Sequence, residues 1–149
     1  MREILFRGKT KNNEWVEGLY LTYDPKHYDC LENPSHVIVN KLEALGCGLC
    51  IQESEMTGEN LDVYSDTIGQ YTGLTDKNGK KIFEGDIVVL TLPAAKMHWR
   101  AVCKFHSGAF GLVWHHMGVE RWQAFAGICN AEYEVIGNIY DNPELAEDE

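Results

Sequence analysis

The chain has no run of about 18 or more apolar residues, the length a membrane-spanning helix needs, so no such span is indicated. It has no Gly-x-Ser-x-Gly elbow, no HExxH pair and no phosphate-cradling P-loop, which removes the commonest hydrolase, metalloprotease and nucleotide-binding signatures. Internal repeats, heptads, low-complexity tracts and long amphipathic helical patterns are also missing. Basic residues are scarce: 13 Lys and Arg stand against 23 Asp and Glu, a formal net charge of −10. Sequence-independent nucleic-acid binding depends on neutralising phosphates, so this balance disfavours it. The Met-Arg-Glu-Ile start runs straight into a strand pattern without a signal-peptide core, and a cytoplasmic location is expected.

What is present fits one globular domain. At 149 residues, with 44% hydrophobic and 24% charged residues, the chain is long enough to bury a core and near the globular average. Its five cysteines, Cys30, Cys47, Cys50, Cys103 and Cys129, are an odd set without dense disulfide spacing and read as reduced thiols. Charge is uneven. Residues 22–66 hold nine acids against two bases and residues 132–149 hold seven acids and no base, each a net of −7. Residues 67–131 carry a net of +3, so any phosphate chemistry belongs to the middle.

The middle also holds the clearest structural signals. In Gly69 to Leu90, GQYTGLTDKNGKKIFEGDIVVL, the strand-like Tyr71–Leu74 is followed by Asp76-Lys77-Asn78-Gly79. Asn and Gly tolerate positive φ at low cost, so this tetrad predicts a hairpin returning through Lys81–Phe83. Phe83-Glu84-Gly85-Asp86 makes a second bend before Ile87–Leu90, an apolar run of strand length. Upstream, Glu3–Arg7 alternates, Lys11–Glu14 is a polar turn and Trp15–Leu21 returns, which is an N-terminal hairpin. Val37–Val39 is a short strand, and residues 41–62 are irregular and acidic.

Downstream, Leu92–Ala95 interrupts the strand series. Arg100–His106 alternates, with Ala101, Cys103 and Phe105 on one side and Val102, Lys104 and His106 on the other. Phe110, Leu112 and Trp114 share a face of the next strand. Trp122–Cys129 has helix-compatible composition weakened by Gly127, and Glu134–Tyr140 is the last strand. Asn142-Pro143-Glu144-Leu145 reads as a helix N-cap with proline at the first helical position.

Three blocks resemble the YopX family, small proteins encoded mainly by phages and prophages of Gram-positive bacteria. They are REILFRGKTKNNEWVEGLYL near the start, GQYTGLTDKNGKKIFEGDIV in the middle and YEVIGNIYDNPEL near the end. The resemblance therefore runs the length of the chain. It brings no established activity, so no catalytic or ligand residue comes with it.

Candidate chemistry is thin. Cys47-Gly48-Leu49-Cys50 is a single CxxC. A tetrahedral zinc site needs four ligands, and Cys30 and His36 complete one only if a loop returns them. A redox reading needs the pair at a helix start after a strand, where an acidic loop follows instead. Neighbouring His115 and His116 point to opposite faces of a strand, and His98 and His106 lie near strands without an acid at useful spacing. Of Asp66, Asp76 and Asp86, the latter two are explained by their turns. Lys96, His98, Trp99, Arg100, Lys104, Trp114, His115, Arg121 and Trp122 interleave bases and aromatics as a single-strand stacking platform does. Alternation in any small barrel gives the same pattern, with aromatics inside and charges outside.

The expectation is one domain over 1–149, with an N-terminal hairpin and irregular acidic region in 1–66, a central signature and barrel-like region in 67–141 and an acidic tail in 142–149. Its class is mainly β: antiparallel strands in a small, partly open SH3-like barrel with an N-terminal β-hairpin subdomain and short helical segments. The expected function is a non-enzymatic, oligomeric protein-interaction module without cofactor, metal or membrane partner. Single-stranded nucleic-acid binding through 96–122 is the alternative, and a metal or thiol site at Cys47 and Cys50 the third.

Overall fold

A computed structural model of the chain describes residues 3–23, 35–39 and 63–146. These contain ten strands in two antiparallel five-stranded sheets, ordered β3-β2-β1-β4-β5 and β10-β6-β7-β8-β9. Neither sheet closes into a barrel among the described residues, and the helical content is limited to single 3-10 turns. The chain divides into two compact units between Gln70 and Tyr71.

In the first unit, β1 (Phe6–Lys9) and β2 (Trp15–Tyr23) form the expected N-terminal hairpin, in register from Phe6↔Gly18 to Lys9↔Trp15. Asn13 closes its turn at a φ of 65°, and the Thr10 hydroxyl accepts from Glu14 N at 3.2 Å. The ladder starts at Phe6, not Glu3, so Ile4 and Leu5 precede it. Arg7 is buried with its guanidinium 4.8 Å from the centre of the Trp15 ring, a cation–π contact that offsets part of its desolvation. β3 (Ser35–Val39) pairs with β2, and the first residues of β4 (Gly69–Thr75) pair with β1. Residues 24–34 and 40–62, which include Cys30, Cys47 and Cys50, lie outside the described residues.

The second unit opens with the hairpin that Asn78-Gly79 announces. β4 and β5 (Lys81–Phe83) are antiparallel, with Tyr71 opposite Phe83 and Thr75 opposite Lys81, and Gly79 takes a φ of 81°. At the following bend Gly85 takes a φ of 85°, and a Cβ there would stand 3.0 Å from Tyr140 Cε2. Asp86 closes the bend by accepting from Phe83 N at 2.8 Å.

The larger sheet then runs β6 (Asp86–Leu92), β7 (Met97–His106), β8 (Ala109–His116) and β9 (Val119–Ala124), and β10 (Glu132–Asn138) returns beside β6. A 3-10 turn at Pro93–Ala95 makes the interruption before β7. The ambiguous 122–129 segment is the end of β9 followed by one 3-10 turn, Phe125–Gly127. Asn142 precedes a 3-10 turn at Pro143–Leu145 but does not cap it. Its side chain lies against Gly137, where a Cβ would stand 3.0 Å from Asn142 Cγ.

The core sits on one face of this sheet. Val88, Leu90, Ala101, Cys103 and Leu112 are buried together with Ile82 of β5, and Trp99, Trp114, Phe125, Ile128, Tyr133 and Val135 pack against them. Phe105 shares the parity of Ala101 and Cys103 but is 53% exposed, because the core ends before it. It stacks edge-on against Phe110 instead, with ring centres 5.0 Å apart.

Candidate interaction surface

Alternation sends every second residue of β6–β9 to the face opposite the core. Unbroken pairing aligns Ile87, Val102, Val113 and Trp122 in one row across four strands. Ile87 and Val113 are buried, while Val102 and Trp122 are half-buried. Around this apolar row stand Arg100, Lys104, His98, His106 and His115, all exposed. His106 packs edge-on against Trp122, centres 5.4 Å apart. The Trp122 indole Nε1–H is buried without a hydrogen-bond partner among the described residues.

The interleaved residues of 96–122 thus divide between two faces. Trp99 and Trp114 pack on the core, and Trp122 alone of the three lies on the basic face. Acids share that face: Glu134 lies opposite Val89, which lies opposite Arg100, and Glu120 lies opposite His115. Lys96 is exposed in a left-handed turn after Pro93–Ala95, and Arg121 is exposed on the other side of β9 from Trp122.

The two edges of this sheet differ. At β10 the turn at Asp76 closes the edge: Lys77 N donates to Tyr133 O at 2.9 Å and Val135 N donates to Asp76 Oδ2 at 3.1 Å. Asp76 Oδ1 accepts from Asn78 N at 2.8 Å and Lys80 N at 2.9 Å. Burial acts to raise the proton affinity of this carboxyl, but the amides of Val135, Lys80 and Asn78, helped by the Lys80 charge, hold it below the ordinary aspartate value. Lys77 also pairs with Glu134 at 2.5 Å; the bond to that carboxylate raises the lysine's proton affinity. β9 pairs with β8 on one side, and among the described residues nothing pairs with its other side.

The remaining sequence candidates do not converge. His115 and His116 are both exposed and, as neighbours on β8, face opposite ways. Asp66 is exposed in a 3-10 turn at Ser65–Thr67, and Asp86 is buried in its bend. Cys103 is buried in the core and Cys129 is exposed. Cys30, Cys47 and Cys50 lie outside the described residues, as does the side chain of His36. Among the described residues no group of three or more His, Cys, Asp or Glu side chains is placed to hold a metal ion. None of the helical turns there is long and apolar enough to cross a membrane. The open β9 edge was not anticipated from sequence. The signal available was the contrast between VERWQA, with neither Pro nor Gly, and the turn-flanked β10.

The fold and surface define a mainly β protein of two open antiparallel sheets, with a mixed apolar and cationic face and one unprotected edge. The chain belongs to the YopX family: the family model described as YopX protein matches residues 5–147. Among solved structures it is similar to protein yopX from Bacillus subtilis, at 18% identity and a TM-score of 0.50, over 99% of this chain and 100% of that one. It is also similar to protein EF1440 from Enterococcus faecalis, at 23% identity and a TM-score of 0.40, over 99% of this chain and 100% of that one. No curated protein matches the chain.

Proposed function

We propose that this YopX-family chain is a non-enzymatic interaction module that works by associating with other chains, first of all with copies of itself. The phage and prophage setting of the family and the absence of an apolar leader pattern in this sequence support a cytoplasmic accessory role. The observation that carries the reading is the asymmetry of the larger sheet. Its β10 edge is covered by the chain's own Asp76 turn, whereas its β9 edge is left with unpaired backbone groups. An uncovered edge presents alternate N–H and C=O groups to any strand that can approach, and such edges are commonly satisfied by another chain. Sedimentation across a wide concentration range tests this, with a mass above the 16.9 kDa monomer expected. A pull-down of tagged protein from host lysate, with nuclease treatment as control, tests for partners beyond the copy. A clean monomer that captures nothing under both conditions defeats the reading.

A second reading, single-stranded nucleic-acid binding, draws on Arg100 and Lys104 exposed on the face that carries Trp122. Stacking platforms use several exposed aromatics beside the bases. Two of the three tryptophans face the core, and Glu120 and Glu134 flank the cations, so this reading ranks below the first.

A further inference from the structure

Strand β9 is short, regular and self-complementary. Six consecutive residues, Val119–Ala124, pair with β8 without a bulge. The segment VERWQA contains no proline and carries one acid and one base. Natural edges are usually guarded by proline, bulges or clustered lysines. This one has none of the three. Glu120 and Arg121 are exposed, Val119 is 49% exposed, and the indole N–H of Trp122 lacks a partner in the single chain.

We infer that the β9 edge pairs with the β9 edge of a second copy, antiparallel about a two-fold axis through Trp122, so that the two larger sheets run on as one. This rests on the reading of the chain as a self-associating module, and adds to it the surface and the register. A two-fold axis normal to a sheet keeps each face on its own side, so a residue can stand only opposite one of the same parity. Over the six residues of β9 this leaves two registers that pair five of them. Centred on Arg121, the pairing sets Arg121 directly against its own copy, and like charges directly opposite are destabilising. Centred on Trp122, it sets the indoles side by side, Arg121 opposite Gln123 and Glu120 opposite the small Ala124. No like charges then face each other, and aromatic cross-strand pairs are favourable. The apolar row of Ile87, Val102, Val113 and Trp122 continues into the same row of the partner copy. The occupant is a second copy because the register that removes the charge conflict is supplied by β9 itself.

Disulfide trapping in the full chain tests the register. Arg121→Cys, Gln123→Cys and Trp122→Cys are made separately, and each variant is checked for native melting and for mass by sedimentation. They are then oxidised alone and in mixture, with interchain bonds assigned by peptide mapping to separate them from the natural cysteines. The expected products are a 121-to-123 bond as the dominant product of the mixture, a 122-to-122 bond in Trp122→Cys, and no 121-to-121 bond in Arg121→Cys alone. Arg121 is exposed, so the mixed pair keeps the test decisive even if Trp122→Cys does not fold. An oligomer that yields the 121-to-121 bond, or no interchain bond at these positions, overturns the inference and leaves the module reading standing. A monomer at all concentrations overturns both.

Discussion

Replacing Asp76 by alanine should be among the most damaging single changes in the second unit, although the residue lies in a turn. Its carboxylate accepts three backbone N–H bonds, from Asn78, Lys80 and Val135, at 2.8, 2.9 and 3.1 Å. Hydrogen bonds to charged groups contribute about 1.5–3 kcal/mol each. That range overstates the loss at Asn78 and Lys80, whose exposed turn lets their amides rebind water for a cost of about 0.5–1.5 kcal/mol each. Val135 is half-buried in β10, and an amide stranded there costs about 1–3 kcal/mol. Removing the side chain also relieves the desolvation of a buried carboxylate, so a net loss of about 2–4 kcal/mol is expected, large beside a total of about 5–15 for a domain. Urea unfolding followed by tryptophan fluorescence measures it, and hydrogen exchange at the Val135 amide should quicken by a matching factor.

Protonation supplies an independent check. The folded carboxyl lies below its unfolded value, about 3.9, so its contribution is fully present above that pH and is lost as pH falls through the folded value. The stability gap between wild type and Asp76→Asn should therefore be widest near neutrality and narrow below about pH 4. A loss under about 0.5 kcal/mol in Asp76→Ala, the size of an ordinary surface change, would refute the reasoning. So would a gap to Asp76→Asn that stays flat with pH.

Gly79→Val should destabilise by about 1 kcal/mol or more through backbone strain alone, since no atom lies within 4 Å of a Cβ placed there. Gly85→Ala should cost more in the same melting assay, because Tyr140 must also move; equal losses would remove the packing term. Purified protein should carry no stoichiometric zinc, and a Cys47→Ser, Cys50→Ser double variant should melt almost as wild type does. One zinc per chain by elemental analysis, lost in that variant, would reopen the thiol or metal reading. Single- and double-stranded oligonucleotides should show no measurable binding at roughly 0.15 M salt. Micromolar binding that weakens steeply with salt and disappears in Arg100→Ala with Lys104→Ala would promote the second reading.

The features legible in the sequence were those whose physics is complete within a few residues. Asn78-Gly79 and the Gly85 bend follow from the cost of positive φ for side chains with a Cβ. The alternation of Arg100–His106 follows from the two-residue period of a strand, and it correctly placed Ala101 and Cys103 together in the core. The antiparallel β class followed from many short strands joined by such turns. Even here Phe105 shows the boundary, because period assigns a face and cannot say how far along that face the core extends.

Tertiary structure decided what depends on register between distant strands. Asp76 is a turn residue in sequence, yet its second oxygen binds Val135, 59 positions away, and so covers the β10 edge. Trp122 occupies the basic face while Trp99 and Trp114 face the core, a division set by which residues of β6, β7, β8 and β9 stand opposite one another. Asn142 has the local setting of an N-cap but packs against Gly137, where the absence of a Cβ leaves room for it. Local rules act through φ, ψ and parity, which each residue carries with it. An edge is open or closed only by what the rest of the chain brings beside it, so the sequence of β9 shows a strand and the fold alone shows that its outer side is unpaired.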